Sequence, residues 1–293
     1  MKLIQEFIKS SLQIQKNDFD LHVNCTIIIN KGVIMRKFLC LILLFTLFLF
    51  TGCDKKPVKT SLDNIIDRDL LVVGVSSNSK PFGFKSKASG TYEGFDIDVA
   101  RYIAKDILGS DRKIRFVEVY PNTRIEAVTS GEVDMVIATM TVTLQRQYLV
   151  DFSSPYYIAG QTVLVNENSD INTFADLKRK STIVVLGTTA EQNIRRIIPT
   201  ARIVGYKDYN SAFEAFKQGK GDAISTDDTI ISGFLIDNPN GYRMLKNRIS
   251  QEPYAIAIKQ QDDQQLKTTL NIIVNRMKKD GTISLLKRKW HIN

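Results

Sequence analysis

The sequence is short of the side chains that most often do covalent or metal chemistry. It has two histidines, His22 and His291, and three cysteines, Cys25, Cys40 and Cys53, in 293 residues. It also lacks an apolar run of the roughly 20 residues needed to cross a bilayer. Phe38 to Phe50 gives 13 residues, broken only by Thr46. No segment is of low complexity. Lys and Arg outnumber Asp and Glu by 40 to 31, a formal +9. These charges are scattered, and no basic stripe interleaved with aromatics marks a nucleic-acid surface.

What is present begins with export. Arg36-Lys37 precedes the short apolar run, and Phe50-Thr51-Gly52-Cys53 follows it. A basic head, an apolar middle and small residues at the end make an export signal. Ending on Gly-Cys, the segment resembles the lipobox of bacterial lipoproteins, in which the cysteine, here Cys53, becomes the lipid-bearing first residue. A signal normally starts a chain, so Met35 is the expected start. The codons for Lys31-Gly32-Val33 can spell a purine-rich ribosome-binding site just before it. Residues 1–34 are therefore expected to be an upstream extension, 35–52 a lipoprotein signal peptide, and 53–67 the lipidated cysteine and a polar tether. Without residues 1–52, 241 residues remain, with 34 Lys and Arg against 28 Asp and Glu, or +6. Cys53 is then the single thiol and His291 the single histidine. That excludes an intramolecular disulfide and a thiolate metal cluster, and argues against histidine catalysis or zinc. No cofactor and no metal are expected. A modest positive excess suits a lipid-anchored protein or one that collects anions.

The remaining chain contains a weak internal repeat. Residues 112–141, moved forward by 88 positions, lie on 200–229 without a gap. Asn122 falls on Asn210, Glu126 on Glu214, Gly131 on Gly219, Asp134 on Asp222 and Thr141 on Thr229. Each copy reads as strand–helix–strand, the unit of a parallel sheet. Two such units suggest two similar lobes. Ligands of open α/β sheets bind beyond the carboxyl ends of the strands. Here the matched ends are Thr139-Met140-Thr141 and Asp227-Asp228-Thr229. Leu70 to Val75 reads as a buried strand, and Phe95 to Leu108 as a helix with Val99, Ile103 and Ile107 on one face. Gln161 to Val165 and Ala255 to Ile258 read as short apolar strands crossing between the lobes. Thr188 and Thr189 open a helix with capping-box spacing to Glu191 and Gln192. At 241 residues the chain can bury two modest cores.

One block is specific. Ala138 to Arg146, followed by Val150-Asp151-Phe152-Ser153-Ser154-Pro155-Tyr156-Tyr157, closely resembles the signature of the polar amino acid-binding proteins of ABC importers, bacterial solute-binding protein family 3. Gly94-Phe95-Asp96-Ile97-Asp98, Asn122-Thr123-Arg124-Ile125, Gly131-Glu132-Val133-Asp134 and Lys289-Trp290 fit the same family. The likeness runs from about Leu70 to the end. It implies an α/β, type II, clamshell-like fold: two lobes, each a mostly parallel sheet flanked by helices, joined by two hinge strands. Lobe 1 is expected at 68–160 plus 259–293 and lobe 2 at 161–258, with hinge strands near 161–165 and 255–258. The implied partners are a free L-amino acid, an ABC permease with its ATPase, and a membrane held through the lipid. No nucleic-acid partner and a monomeric state are expected.

The chemistry of such a ligand can be stated independently. An amino acid carries a carboxylate and an ammonium into a dry cleft, and burying either unpaired is prohibitive. A carboxylate calls for a planar two-pronged donor, which arginine supplies. Arg146 matches the family arginine with that role; from spacing alone it would be a surface residue after a Thr-rich turn. The N–H groups of a helix start add anion contacts, a role open to Thr188 and Thr189 beside simple capping. The ammonium calls for a carboxylate. Asp227 lies where the family's second lobe places it, and Asp228 is left to cap the following helix. Thr141 and the backbone at Thr139, often glycine in relatives, match positions that share the two charged groups. Arg124 matches a residue that reaches a distal carboxylate in some acidic amino acid binders, or else is a helix-surface arginine. Tyr209 resembles a contact of those binders or is a half-buried structural tyrosine. Phe82 walls the pocket or packs in the core. Ser76 stands where acidic amino acid binders often carry Lys or Arg. The expected ligand is glutamate or aspartate first, then glutamine or another polar amino acid. An enzyme on the same scaffold, resembling cyclohexadienyl dehydratases, is the rival reading.

Overall fold

The computed structural model describes residues 59–260 and 264–292. The expected extension, the signal peptide and Cys53 lie outside these residues.

Chain order runs α1 (Ser61–Arg68), β1 (Leu71–Val75), β2 (Asn78–Ser79), β3 (Gly83–Lys85), β4 (Tyr92–Glu93), α2 (Phe95–Leu108), β5 (Ile114–Glu118), α3 (Arg124–Ser130), β6 (Met135–Val136), α4 (Leu144–Gln147), β7 (Val150–Phe152) and β8 (Tyr157–Ala159). It continues β9 (Gln161–Asn166), β10 (Ser181–Val185), α5 (Thr189–Ile197), β11 (Arg202–Tyr206), α6 (Tyr209–Lys217), β12 (Ala223–Asp227), α7 (Asp228–Asp237), β13 (Tyr242–Met244), β14 (Glu252–Tyr254), β15 (Ala257–Lys259), α8 (Gln265–Lys279) and α9 (Thr282–Lys289).

Two five-stranded sheets result, in the orders β5-β1-β6-β15-β7 and β11-β10-β12-β9-β13. In each, three parallel strands from a βαβ repeat are continued by antiparallel ones. The expected duplication is visible strand by strand. Ile114–Glu118 moved by 88 positions coincides with Arg202–Tyr206, and both are the edge strand of their sheet. β1 is an unbroken apolar run because both its faces are covered. Val99 and Ile103 of α2 are fully buried against it, four residues apart. α8 and α9 add Leu270, Ile273, Val274 and Ile283 to the same core. Trp290 then closes the tail by donating from Nε1 to Asp98, at 2.7 Å.

Two expectations are corrected. The tether does not extend to residue 67: Ser61–Arg68 is a helix. Thr60 and Asp63 form a reciprocal capping box, and Leu62 and Ile65 bury in the first core. The polar composition of 54–61 hid the two apolar residues at helical spacing that follow. The hinge strands are also displaced. Gln161–Asn166 is an inner strand of the second sheet and Ala257–Lys259 an inner strand of the first. The strands joining the lobes are β8 and β14, paired antiparallel with Ala159 opposite Glu252 and Tyr157 opposite Tyr254. Apolar runs mark strands buried on both faces, whereas a two-stranded connector needs no such run.

Both lobes belong to one compact unit beginning at Lys59, and they touch. Lys80 pairs with Asp237 at 3.1 Å. Gly233 of α7 lies against the Lys80 carbonyl, where a Cβ would stand 1.9 Å from the oxygen. Gly187, at φ +80°, lies against the backbone of Pro121 and Asn122.

Candidate functional site

Helix α4 turns its arginine inward. Leu144, its first residue, is 79% exposed while Arg146 is 6% exposed. This inversion of ordinary burial preference is held by the Thr143 hydroxyl, which accepts from the Arg146 N–H. The guanidinium donates from Nη1 to the Thr141 carbonyl at 2.7 Å and from Nη2 to the Gly187 carbonyl of the other lobe at 3.1 Å. Burial pushes its pKa down to about 9, helped by the nearby Arg124 charge and opposed by Glu252 and Asp227.

Arg124, the first residue of α3, is also buried, so it is not a helix-surface arginine. Its Nη1 donates to the Ala138 carbonyl at 2.6 Å, and its buried Nε has no hydrogen-bond partner. Burial lowers its pKa, against the charges of Tyr209, Tyr254 and Asp227.

The strand ends face these two arginines. Thr139 sits in the left-handed region at φ 45°, which disfavours most non-glycine residues. Asp96 fixes it there: Oδ2 accepts from the Thr139 N–H at 2.8 Å while Oδ1 accepts from the Tyr156 hydroxyl at 2.8 Å. Asp96 is wholly buried, and burial pushes its carboxyl up to about 6. Thr141 forms a bridge opposite Tyr254, bringing the 139–142 segment against β14.

Opposite, the two adjacent aspartates divide. Asp228 accepts from the backbone of Thr229 and Gly160 and forms an ion pair with Arg248. Asp227 makes no capping bond to α7. Its Oδ2 accepts from the Tyr254 hydroxyl at 2.5 Å. Burial, then the charge of Glu252, push the Asp227 carboxyl up to about 7. Tyr209 is buried beside it, its hydroxyl pushed up to about 12 by burial and by Asp227.

Thr188 is the N-cap of α5, accepting from the Glu191 N–H. Glu191 reaches back to Gly187 N rather than Thr188 N, so the expected box is shifted by one residue. The Thr189 hydroxyl donates to Glu252 at 2.7 Å. Phe82 is fully buried in the first core, edge-on to Tyr254 at 5.5 Å and to Tyr157 at 5.1 Å, so its place is under the hinge. Arg146, Arg124, Asp227 and Tyr209 are thus all buried and lie within electrostatic reach of one another. A separate groove of about 780 Å³ runs between Lys80–Ala88 and helices α6 and α7, and none of the nine predicted residues lines it.

Three groups were missed by sequence reasoning. Asp96 looked like an ordinary acidic residue in a first helical turn. Glu252 and Tyr254 lie in β14, where Pro253 breaks the strand pattern. Among the described residues, no group of three His, Cys, Asp or Glu is placed to hold a metal ion, and no helix is long and apolar enough to cross a membrane.

The family described as bacterial extracellular solute-binding proteins, family 3, matches residues 71–293. The chain is 39% identical over 262 residues to the ABC transporter glutamine-binding protein GlnH of Bacillus subtilis (strain 168), covering 86% of this chain and 95% of that protein. It is 40% identical over 235 residues to the glutamine-binding protein of Geobacillus stearothermophilus, covering 74% and 89%. Among solved structures, the cysteine-binding protein of Campylobacter jejuni superposes with a TM-score of 0.76 at 30% identity, covering 80% of this chain and 95% of that one.

Proposed function

This chain belongs to the bacterial extracellular solute-binding proteins, family 3, and on that premise we propose that it captures a polar L-amino acid, glutamine first, and delivers it to an ABC permease with its ATPase. One observation carries the reading. Two buried arginines of lobe 1 and the buried Asp227 of lobe 2 lie within electrostatic reach of one another, although water is where such charges belong. In the proposed complex Arg146 holds the ligand carboxylate with two parallel N–H bonds, joined by the first-turn N–H groups of α5 at Thr188 and Thr189. Asp227 takes the ammonium, with the Thr139 carbonyl and the Thr141 hydroxyl. The free Arg124 Nε–H meets the side-chain carbonyl, and Tyr209 bounds the space. The lobes close because the ligand contacts both.

Charge moves the ligand from glutamate or aspartate, the sequence expectation, to glutamine. Arg124 and Arg146 are already matched by Asp227 and Glu252, and Asp96 adds a further carboxyl behind Thr139. A ligand with an extra carboxylate would find no surplus positive charge. The two glutamine-binding relatives favour the same ligand. Calorimetry across the twenty amino acids tests it, with glutamine expected to bind tightest. Arg146→Ala or Asp227→Ala with wild-type affinity would defeat the site. Anchoring through Cys53 is part of the proposal: Cys53→Ser is expected to abolish palmitate labelling and release the protein from membranes.

A further inference from the structure

Glu252 is a buried carboxylate without a direct counter-ion. It is 2% exposed, and it makes no ion pair among the described residues. Among the described residues its oxygens accept from neutral hydroxyls, Thr189 on Oε2 at 2.7 Å and Ser250 on Oε1. Two hydroxyls satisfy its hydrogen bonding but do not cancel its charge. A buried charge kept this way is costly unless an opposite one is near. The nearest match in effect is Arg146, for which Glu252 is the largest favourable charge, ahead of Asp227. Glu252 in turn disfavours the ionised form of Asp227 more than any other charge does. It therefore sits within electrostatic reach of both groups assigned to the ligand's ends, on the hinge strand β14, whose position relative to both lobes is fixed by pairing with β8.

We propose that Glu252 sets the charge class of the ligand: its carboxylate offsets Arg146 and turns the cleft against amino acids with an anionic side chain. This rests on the functional reading above and adds a residue to it. A zwitterion with a neutral side chain adds no net charge to the arginines and carboxyls already there. Glutamate or aspartate adds a negative charge to a low-dielectric space where like charges repel strongly. Glu252 acts through its charge, so a residue of the same shape without charge relaxes the selectivity.

The test is the ratio of glutamate to glutamine dissociation constants in the exported chain, by calorimetry. Glu252→Gln keeps the shape and loses the charge; the ratio is expected to fall at least tenfold, about 1.4 kcal/mol. Glu252→Asp keeps the charge while shortening the reach to Thr189, and its ratio is expected to stay within about threefold of wild type, since like-charge repulsion persists at the shorter reach. An unchanged ratio in a folded Glu252→Gln variant, or an equal fall in Glu252→Asp, overturns the proposal while leaving glutamine binding in place. A wild type that binds no amino acid overturns the functional reading and this one with it. Should Glu252→Gln fail to fold, wild-type selectivity decides: glutamine tighter than glutamate by tenfold supports the proposal, and equal affinity refutes it.

Discussion

Arg146 and Asp227 matter because each is buried against its nature. Removing one member of a buried charge arrangement costs about 2–5 kcal/mol in binding. Arg146→Ala is accordingly expected to raise the glutamine Kd at least about 30-fold. Arg146→Lys keeps the charge but not the fork, so its loss is expected to fall between wild type and Ala; equal affinity for Lys and Arg would rule out two-pronged recognition. Asp227 also makes a prediction about stability. Its carboxyl is raised from an ordinary 3.8 to about 7 in the folded protein. The folded state holds that proton more tightly than the unfolded chain, so the contribution is complete below about pH 4 and is lost as pH rises through about 7. Asp96, raised to about 6, acts in the same direction. Asp227→Asn removes the first effect alone. Its ligand-free melting temperature is expected to match wild type near pH 4 and exceed it at pH 8, while glutamine binding is lost. A pH-independent difference would refute the raised carboxyl. At this scale the sequence marked Arg146 and Asp227 by motif. It could not mark Glu252, because nothing in Gln251-Glu252-Pro253-Tyr254 says that this carboxyl is buried within electrostatic reach of Arg146 and Asp227.

Short elements do the positioning. α4 spans only Leu144–Gln147, yet its capping threonine sends Arg146 inward. α5 starts at Thr189, beside the Gly187 carbonyl that Arg146 reaches. Helix α1, expected as tether, is part of the first lobe. Ile65 is fully buried there, and Ile65→Ala is expected to cost about 2–5 kcal/mol in urea unfolding. A tether residue would cost nothing measurable. Inner strands such as Leu71–Val75 were legible because buried parallel strands are continuous apolar runs. The hinge strands were not: Tyr157–Ala159 and Glu252–Tyr254 each carry a polar or exposed residue, and Ile158 is 60% exposed.

For the molecule as a whole, the proposed closure depends on how closely the two lobes can meet. Gly233 lies in a helix, and the nearest obstacle to a side chain there is Lys80 of the other lobe, its carbonyl first. Gly233→Ala is expected to leave ligand-free stability unchanged or slightly raised. It is expected to raise the glutamine Kd at least tenfold and to abolish the ligand-induced contraction seen by small-angle X-ray scattering. Normal contraction in that variant would show that the contact does not limit closure. Exposed Lys80–Asp237, by contrast, adds little, as surface ion pairs generally do.

Sequence alone determined the family, the doubling of a βαβ unit, and the residue types a zwitterion requires, because motif spacing and apolar periodicity are local properties of a chain. Tertiary structure decided which of those residues lose water together. Burial is a sum over segments distant in sequence, and it is what excluded a helix-surface place for Arg124, gave Asp227 and Asp228 different partners, and brought Glu252 of the hinge to Thr189 of the second lobe.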